Sequence, residues 1–322
     1  MLSTISAAAV LRLVADRGYR FTAVTPLTHQ RVKDKRGADP GQTLRDVFGW
    51  NTPFSARALP PALFSEMGRA GLLQQVGSLW RSTLRIASID DDLFLHSAYP
   101  TVGADAVFFG PDTYRFARFM RQALGQRVAS MRRGTLVRVL DIGCGSGAGG
   151  IVVSRALAAA GMTSTLTLND INPAALALTA ANAEVAGVAV TLALGDALSA
   201  VEGNFDLIVC NPPYLDDEGQ RSYRHGGANL GRALGLRIAA AALQRLAPGG
   251  QLLFYTGVAM VDGEDPFLAE MVPLLTAARC DWRYEEIDPD VFGEEIERPI
   301  YAHIDRVAAV GLVATCPSEQ AN

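Results

Sequence analysis

The stretch Val139-Leu140-Asp141-Ile142-Gly143-Cys144-Gly145-Ser146-Gly147 decides the fold. It continues an apolar run, Leu136–Ile142, that reads as a buried strand, and it opens a helix predicted over Ala148–Ala160. Glycines at 143, 145 and 147 let the backbone turn sharply and approach a ligand at a helix N-terminus, where side chains would stand in the way. On glycine content alone such a turn serves NAD, FAD or S-adenosylmethionine. The aspartate before the first glycine and the one-residue glycine spacing depart from the Gly-x-Gly-x-x-Gly phosphate fingerprint. A pyrophosphate is repelled by an adjacent carboxylate, whereas the ammonium and sulfonium of S-adenosylmethionine are attracted. Charge therefore favours S-adenosylmethionine.

Outward from this turn the chain alternates strand and helix. Strands are predicted at Thr163–Leu168, Val188–Leu194, Phe205–Cys210 and Gln251–Thr256, with helices at Pro173–Ala186 and Leu234–Leu246, the latter closed by Ala247-Pro248-Gly249-Gly250. Near-continuous apolar strands between helices imply a parallel α/β sheet covered on both faces. Trp282–Ile287 and Tyr301–Val313 fit a closing antiparallel hairpin.

Two further acids follow strands. Asp170 ends Leu168-Asn169-Asp170, placed to accept both ribose hydroxyls, and Gly195-Asp196-Ala197 follows the third strand, placing Asp196 within reach of an adenine amino group. Each alone also reads as a helix N-cap. Asn211-Pro212-Pro213-Tyr214 follows Phe205–Cys210 directly. An amino group on an aromatic ring or a carbonyl is a poor nucleophile, because its lone pair is delocalised. The Asn211 carboxamide oxygen and the Pro212 carbonyl can accept its hydrogen bonds, aim it, and stabilise the charge that develops on it. Tyr214 offers a flat face for a planar group. Otherwise the Pro-Pro turn is only a strand terminator.

On these motifs residues 101–257 resemble the class I S-adenosylmethionine-dependent methyltransferases of the Asn/Asp-Pro-Pro-Tyr group, and within it the HemK-type protein-glutamine N5-methyltransferases (methyltransferase small domain). Gly110-Pro111-Asp112-Thr113-Tyr114 is similar to the Pro-Asp-Thr segment ahead of that family's first sheet strand, although the usual Arg and Glu are Gly110 and Tyr114 here. The resemblance implies a Rossmann-like seven-stranded sheet with an antiparallel last strand. It also implies cofactor contacts at Asp141, Gly143, Cys144, Gly145, Ser146, Gly147, Asp170, Asp196, Ala197 and Asn211, and catalytic roles for Asn211, Pro212 and Tyr214.

The remaining residues point to a second unit. Residues 1–100 carry 12 Lys/Arg against 8 Asp/Glu, and residues 101–322 carry 17 against 25. A net +4 beside a net −8 suggests two units: a substrate-recruiting domain over 1–98 and a methyltransferase domain over 99–316. The N-terminal unit reads as α+β. Helices are expected over 3–17 and from Pro60 to about Ala70, and strand-like runs at Leu73–Val76, Leu79–Ile86 and Leu93–His96, an order that suggests a winged-helix-like module. Arg31-Val32-Lys33-Asp34-Lys35-Arg36 is either a solvated helix face or a recruiting patch.

Four scattered cysteines and four histidines argue against a metal or disulfide framework and for a reducing, cytoplasmic setting. No apolar run is long enough for a membrane span. The expected activity is N-methylation of a planar amide or amino nitrogen, with protein glutamine in a macromolecular substrate ahead of an adenine or guanine amino group in RNA or DNA. The least favoured reading is a non-catalytic cofactor sensor. His225, in His225-Gly226-Gly227, reads as ordinary surface rather than as a base.

Overall fold

The computed structural model describes residues 4–99, 101, 103–129, 131–219 and 221–318. It divides into two compact units. One comprises residues 1–114, 145–148 and 173–189, and the other residues 115–144, 149–172 and 190–322.

The first unit begins with helix α1 (Thr4–Ala15), the basic helix α2 (Pro26–Arg36) and α3 (Pro61–Arg69). Strands β1 (Leu73–Val76), β2 (Leu79–Ser82), β3 (Leu84–Ile89) and β4 (Asp92–Ser97) follow. Where the sequence suggests one strand over Leu79–Ile86, the structure breaks it at Thr83, whose N–H turns away to the Leu72 carbonyl at 3.0 Å. Two separate antiparallel hairpins result, β1 with β2 and β3 with β4. This unit has its own core. Ala7, Leu11 and Val14 of α1 pack with Phe48, Phe54, Leu63 and Met67, and with Ala175, Leu178 and Ala181. Those last three belong to helix α6 (Pro173–Ala186), which Arg12 also reaches through an ion pair with Glu184. By packing, α6 therefore clusters with the N-terminal residues although it lies between two sheet strands in sequence.

The second unit is built on seven strands: β5 (Leu136–Ile142), β6 (Thr163–Asp170), β7 (Thr191–Leu194), β8 (Phe205–Cys210), β9 (Leu246–Met260), β10 (Asp281–Asp288) and β11 (Arg306–Thr315), in spatial order β10-β11-β9-β8-β5-β6-β7. Strands β5 to β9 run parallel, and β11 is antiparallel to both β9 and β10. This is the parallel α/β sheet that the strand-helix alternation implies, with the seven strands and antiparallel closing strand that the resemblance implies. The helices are α4 (Pro111–Val128), α5 (Ala148–Ala159), α7 (Ala233–Leu243) and α8 (Pro266–Ala277).

Three departures from the sequence reading have local causes. Helix α7 stops at Leu243, not Leu246, because Leu246 already pairs with Phe205 in the β8–β9 ladder. Strand β9 runs on to Met260 because β11 pairs with it over its full length to Arg306. Helices α4 and α8 went unread: α4 buries Phe116, Phe119, Met120 and Leu124 after a loop, and Pro273 inside α8 interrupts its helical pattern. Cys280 and Cys316, 36 residues apart, meet across the ends of β10 and β11 with sulfurs 3.8 Å apart, both as free thiols.

Candidate functional site

The strand register sets the site. The chain moves outward from β5 through β6 to β7, then returns to the other side of β5 as β8, so β5 and β8 flank the topological switch point. Open α/β sheets bind ligands there, beyond the carboxyl ends of the strands. Ile142 is paired with Asn169 on one side and Cys210 on the other, and Asp170 with Leu194. Gly143, Asp170, Gly195-Asp196 and Asn211 therefore leave the sheet at one rim.

Gly143, Gly145 and Gly147 all have left-handed backbones, with φ of 69°, 56° and 78°. That conformation strains any residue with a Cβ. Gly143 also has open space where a Cβ would stand, while a Cβ at Gly147 would come within 2.9 Å of Thr179. The Cys144 N–H binds the Asn169 carbonyl at 2.9 Å, tying the turn to β6, and the Cys144 side chain is buried. Ser146 is buried too, and its carbonyl accepts from the Asn182 amide at 2.9 Å.

The three predicted acids are placed very differently. Asp141 is almost fully buried behind the turn, where it accepts the Gly150 N–H at 2.8 Å. Burial, with a smaller push from the Asp170 charge and against the pull of that hydrogen bond, raises its carboxyl to about 7. A Cβ at Gly149 would come within 2.7 Å of the same carboxylate, so this helix start admits only glycine beside it. Asp170 stands at the rim, 9% exposed, and accepts the Asn172 N–H at 2.9 Å. Asn169 next to it spans to the Ala193 and Gly195 carbonyls at 3.0 Å each, locking the ends of β6 and β7 together. Asp196 is half exposed and held by both terminal nitrogens of Arg237, at 3.0 and 3.1 Å. Ala197 follows it in a left-handed conformation at φ 47°.

Asn211 continues β8 and is partly exposed, while Pro212 is buried. The Tyr214 ring is only 8% exposed, packed edge-on against Phe292 with centroids 5.8 Å apart. A Cβ at Gly257 of β9 would lie 2.2 Å from this ring, and one at Gly231 would lie 2.2 Å from the Tyr214 carbonyl oxygen. Gly226, Gly231 and Gly257 are thus the contacts that let the tetrapeptide turn close. The sequence reading passed over them, and the signal was present as His225-Gly226-Gly227 and Gly231 within seven residues. His225 itself is a structural contact, its Nδ1 accepting the Asp217 N–H at 3.2 Å.

The segment after Tyr214 is fixed by an ionic cluster that the sequence did not announce. Asp217 pairs with Arg221 and lies 3.4 Å from Arg224. Glu295 pairs with Arg224 and, at 2.8 Å, with Arg298. The hydrogen bonds and charge of Arg221 hold the Asp217 carboxyl down at about 2. Tyr301 completes the tie by accepting the Asp216 N–H at 2.7 Å.

Residues 122–260 match the methyltransferase small domain. The release factor glutamine methyltransferase of Deinococcus radiodurans is 34% identical over 179 residues, covering 51% of this chain and 58% of that protein. The protein of the same name from Bordetella pertussis is 40% identical over 127 residues, covering 36% and 46%. Ribosomal RNA small subunit methyltransferase C of Sodalis glossinidius is 42% identical over 78 residues, covering 24% and 21%. The chain spans about half the length of the release-factor relatives it matches.

The donor set of this segment fits S-adenosylmethionine. The left-handed glycines leave the turn bare, and Asp170 supplies at the rim an acidic acceptor that suits a cationic ligand and opposes an anionic one. Among the described residues no group of three or more His, Cys, Asp or Glu could hold a metal, and no helix is long and apolar enough to cross a membrane.

Proposed function

We propose that this chain is an S-adenosylmethionine-dependent N-methyltransferase that modifies a planar amide nitrogen, with protein glutamine as the acceptor in a macromolecular substrate. The observation that carries this reading is the position of Asn211-Pro212-Pro213-Tyr214, which starts one residue beyond Cys210, the direct ladder partner of Ile142 before the glycine turn. S-adenosylmethionine held at that turn would supply an electrophilic methyl group, its methyl–sulfur bond breaking to leave a neutral thioether. The Asn211 side-chain oxygen and the Pro212 carbonyl accept the two N–H bonds of the acceptor amide, which orients its lone pair and favours the positive charge that grows as the new C–N bond forms. The Tyr214 ring, braced by Gly257 and Phe292, walls the planar group on one side. The extra proton on the product nitrogen passes to solvent, so no protein base is required. Asp170 holds the ribose, and Asp141 fixes the turn from behind.

Support for glutamine comes from the names and longer matches of the release-factor relatives. The ribosomal RNA relative favours an adenine or guanine amino group as the second reading, since its 42% identity over 78 residues is at least as high as theirs. We assign residues 1–98 to recruitment of the acceptor, residues 99–316 to catalysis, and the protein, with its free thiols, to the cytoplasm. The test is transfer of tritiated methyl groups from S-adenosylmethionine into a cell extract. Label released by protease and stable to nuclease, recovered as N5-methylglutamine, is the expected result. Label lost to RNase installs the second reading, and no label in any fraction overturns both.

A further inference from the structure

By packing, the glycine turn is divided. Gly143 and Cys144 cluster with the sheet, whereas Gly145–Ala148 cluster with residues 1–114 and 173–189. Two side chains of α6 hold that second part. Asn182 is fully buried, and its carboxamide makes three hydrogen bonds. Oδ1 accepts the Leu95 N–H of β4 at 2.9 Å, while Nδ2 donates to the Leu95 carbonyl at 3.2 Å and to the Ser146 carbonyl at 2.9 Å. Thr179, one turn earlier on the same face of the helix and buried as completely, donates from Oγ1 to the Gly145 carbonyl at 2.9 Å. Helix α6 is itself fixed on α1 through Ala175, Leu178 and Ala181.

At β4 the carboxamide stands in for a neighbouring strand. Backbone groups alternate in direction along an antiparallel strand, and Leu95 turns both its N–H and its carbonyl to Asn182 rather than to its ladder partner Ile86. At a buried edge those two groups would otherwise be costly orphans. In the turn, the same side chain and Thr179 draw the Ser146 and Gly145 carbonyls toward α6. A trans peptide points its C=O and N–H in opposite directions, so the Gly147 and Ser146 N–H groups are aimed away from α6. The fit is close. A Cβ at Gly147 would stand 2.9 Å from the Thr179 Cγ2, and one at Gly145 would meet the Val107 side chain at 4.0 Å. Val107 is fastened in turn to the end of β4, its carbonyl accepting the Ser97 N–H at 3.0 Å and its N–H donating to the Ser97 Oγ at 2.8 Å.

We propose that Asn182 and Thr179 are positioning residues through which β4 sets the affinity of the glycine turn for S-adenosylmethionine, so that the N-terminal residues complete the cofactor site as well as recruit the acceptor. The inference rests on the cofactor reading above and is independent of which acceptor is methylated. A carboxamide suits this task because it carries two donors and an acceptor in one rigid plane: fixing it on Leu95 also fixes the N–H that holds Ser146. A turn that is loose must be ordered when a ligand binds, whereas a turn already held binds more tightly for that reason alone. The coupling is reciprocal. A cofactor that steadies the turn also steadies Leu95, so loading of the turn is felt at the β3–β4 hairpin.

The experiment combines calorimetric titration of the full chain with S-adenosylmethionine and amide hydrogen exchange with and without it. Asn182→Ala should weaken binding about tenfold, the scale for loss of one buried hydrogen bond at the turn. Thr179→Val keeps the shape and removes the hydroxyl, and it should weaken binding roughly fivefold. Thr179→Ser keeps the hydroxyl and should lose much less than the Val variant. In the wild type the cofactor should slow exchange of the Leu95 amide by more than that of the Ser88 amide, which bonds the Phe21 carbonyl at 2.9 Å. Asn182→Ala should abolish that difference. If that variant does not fold, the two Thr179 variants and the wild-type exchange decide. Lowered melting temperatures with unchanged cofactor affinity would make both residues structural only and overturn the proposal, as would equal losses in Thr179→Ser and Thr179→Val or equal slowing at Leu95 and Ser88. A wild-type chain that binds no S-adenosylmethionine removes the cofactor reading and this inference with it, whereas binding that the variants leave intact removes this inference alone.

Discussion

Buried charge is treated in opposite ways by the two units. In the C-terminal unit the segment behind Tyr214 buries Asp217 and Glu295, and each carboxylate faces guanidinium groups from Arg221, Arg224 or Arg298. In the N-terminal unit Arg85 is buried as deeply and faces phenols, imidazoles and another cation. A closed ionic cluster has its attraction already satisfied, so its effect is positional: it holds the chain that follows the Asn-Pro-Pro-Tyr turn. An open one leaves a buried charge whose cost is met only by the Gly49 carbonyl and the Phe21 ring.

The strongest way to break that comparison is to open the closed cluster. Glu295→Ala leaves Arg224 and Arg298 without their buried acceptor and should cost about 3–5 kcal/mol of stability, the scale for breaking one partner out of a buried pair. Arg85→Met should cost less, because loss of the Gly49 hydrogen bond is offset by removal of an unpaired buried charge. Denaturant unfolding of the two variants side by side measures both. Equal penalties would mean that Arg85 is as much a structural group as Glu295, and the contrast would fall.

Next in size is the chemical step. Asn211→Ala should lower turnover by about 10²–10³, by analogy with loss of one preorganised group that acts on developing charge, and leave the unfolding midpoint nearly unchanged, since Asn211 is partly exposed. Asn211→Asp keeps an acceptor of the same shape and should retain much more activity. Equal loss in both variants with cofactor still bound would show that the carboxamide N–H₂, not its oxygen, is what the reaction uses.

How much of this was readable follows the same division. The β5 strand, its glycine turn and the acids and amides that end β6, β7 and β8 are local features: apolar runs, left-handed glycines and short motifs each confined to a few residues. Their common placement follows from parallel register alone, so the sheet and its rim were legible. The ionic cluster was not, because Asp217 and Glu295 are nearly 80 residues apart and meet only through the pairing of β11 with β9 and β10. Arg85 and His96 were illegible for a related reason. In sequence they are a strand arginine and a strand histidine; only the β3–β4 register, and the burial it brings, makes them neighbours. The sequence also gives no sign that α6 packs with α1, since its apolar residues, Ala175 and Leu178 among them, suit either core.

Asp141 separates geometry from charge at the turn itself. Its raised carboxyl means that the folded chain holds a proton there that the unfolded chain releases, so this group makes stability fall as pH rises from the ordinary carboxylate range to about 7. Asp141→Asn keeps an acceptor for the Gly150 N–H and removes the ionisation, and it should flatten that fall. Asp141→Ala leaves the Gly150 donor buried and unpaired and should cost about 1–3 kcal/mol at any pH. Thermal unfolding from pH 4 to 8 distinguishes them. An Asn variant that unfolds as easily as Ala would show that the charge, not the hydrogen bond, holds the turn.

The smallest effect is expected at Asp196, and it bears on whether the rim beyond β7 belongs with the closed or the open kind of charge. Asp196 and Arg237 form a bidentate pair with good geometry, but both side chains are about half exposed, at 53% and 54%. Water already solvates each partner, so little is gained by pairing and little is lost by separating them. Asp196→Asn and Arg237→Gln should each change stability by less than about 1 kcal/mol, and the change should shrink further in high salt. Their effects on cofactor affinity should then differ in sign. If Asp196 accepts from the adenine amino group, Arg237→Gln frees the carboxylate and S-adenosylmethionine binds as well or better, whereas Asp196→Asn weakens it a few-fold because a carboxylate is the stronger acceptor. Calorimetry on the two variants reads this directly. If Arg237→Gln weakens binding as much as Asp196→Asn, the pair acts as one unit that shapes the rim, and the adenine contact must be sought among the backbone groups around Ala197.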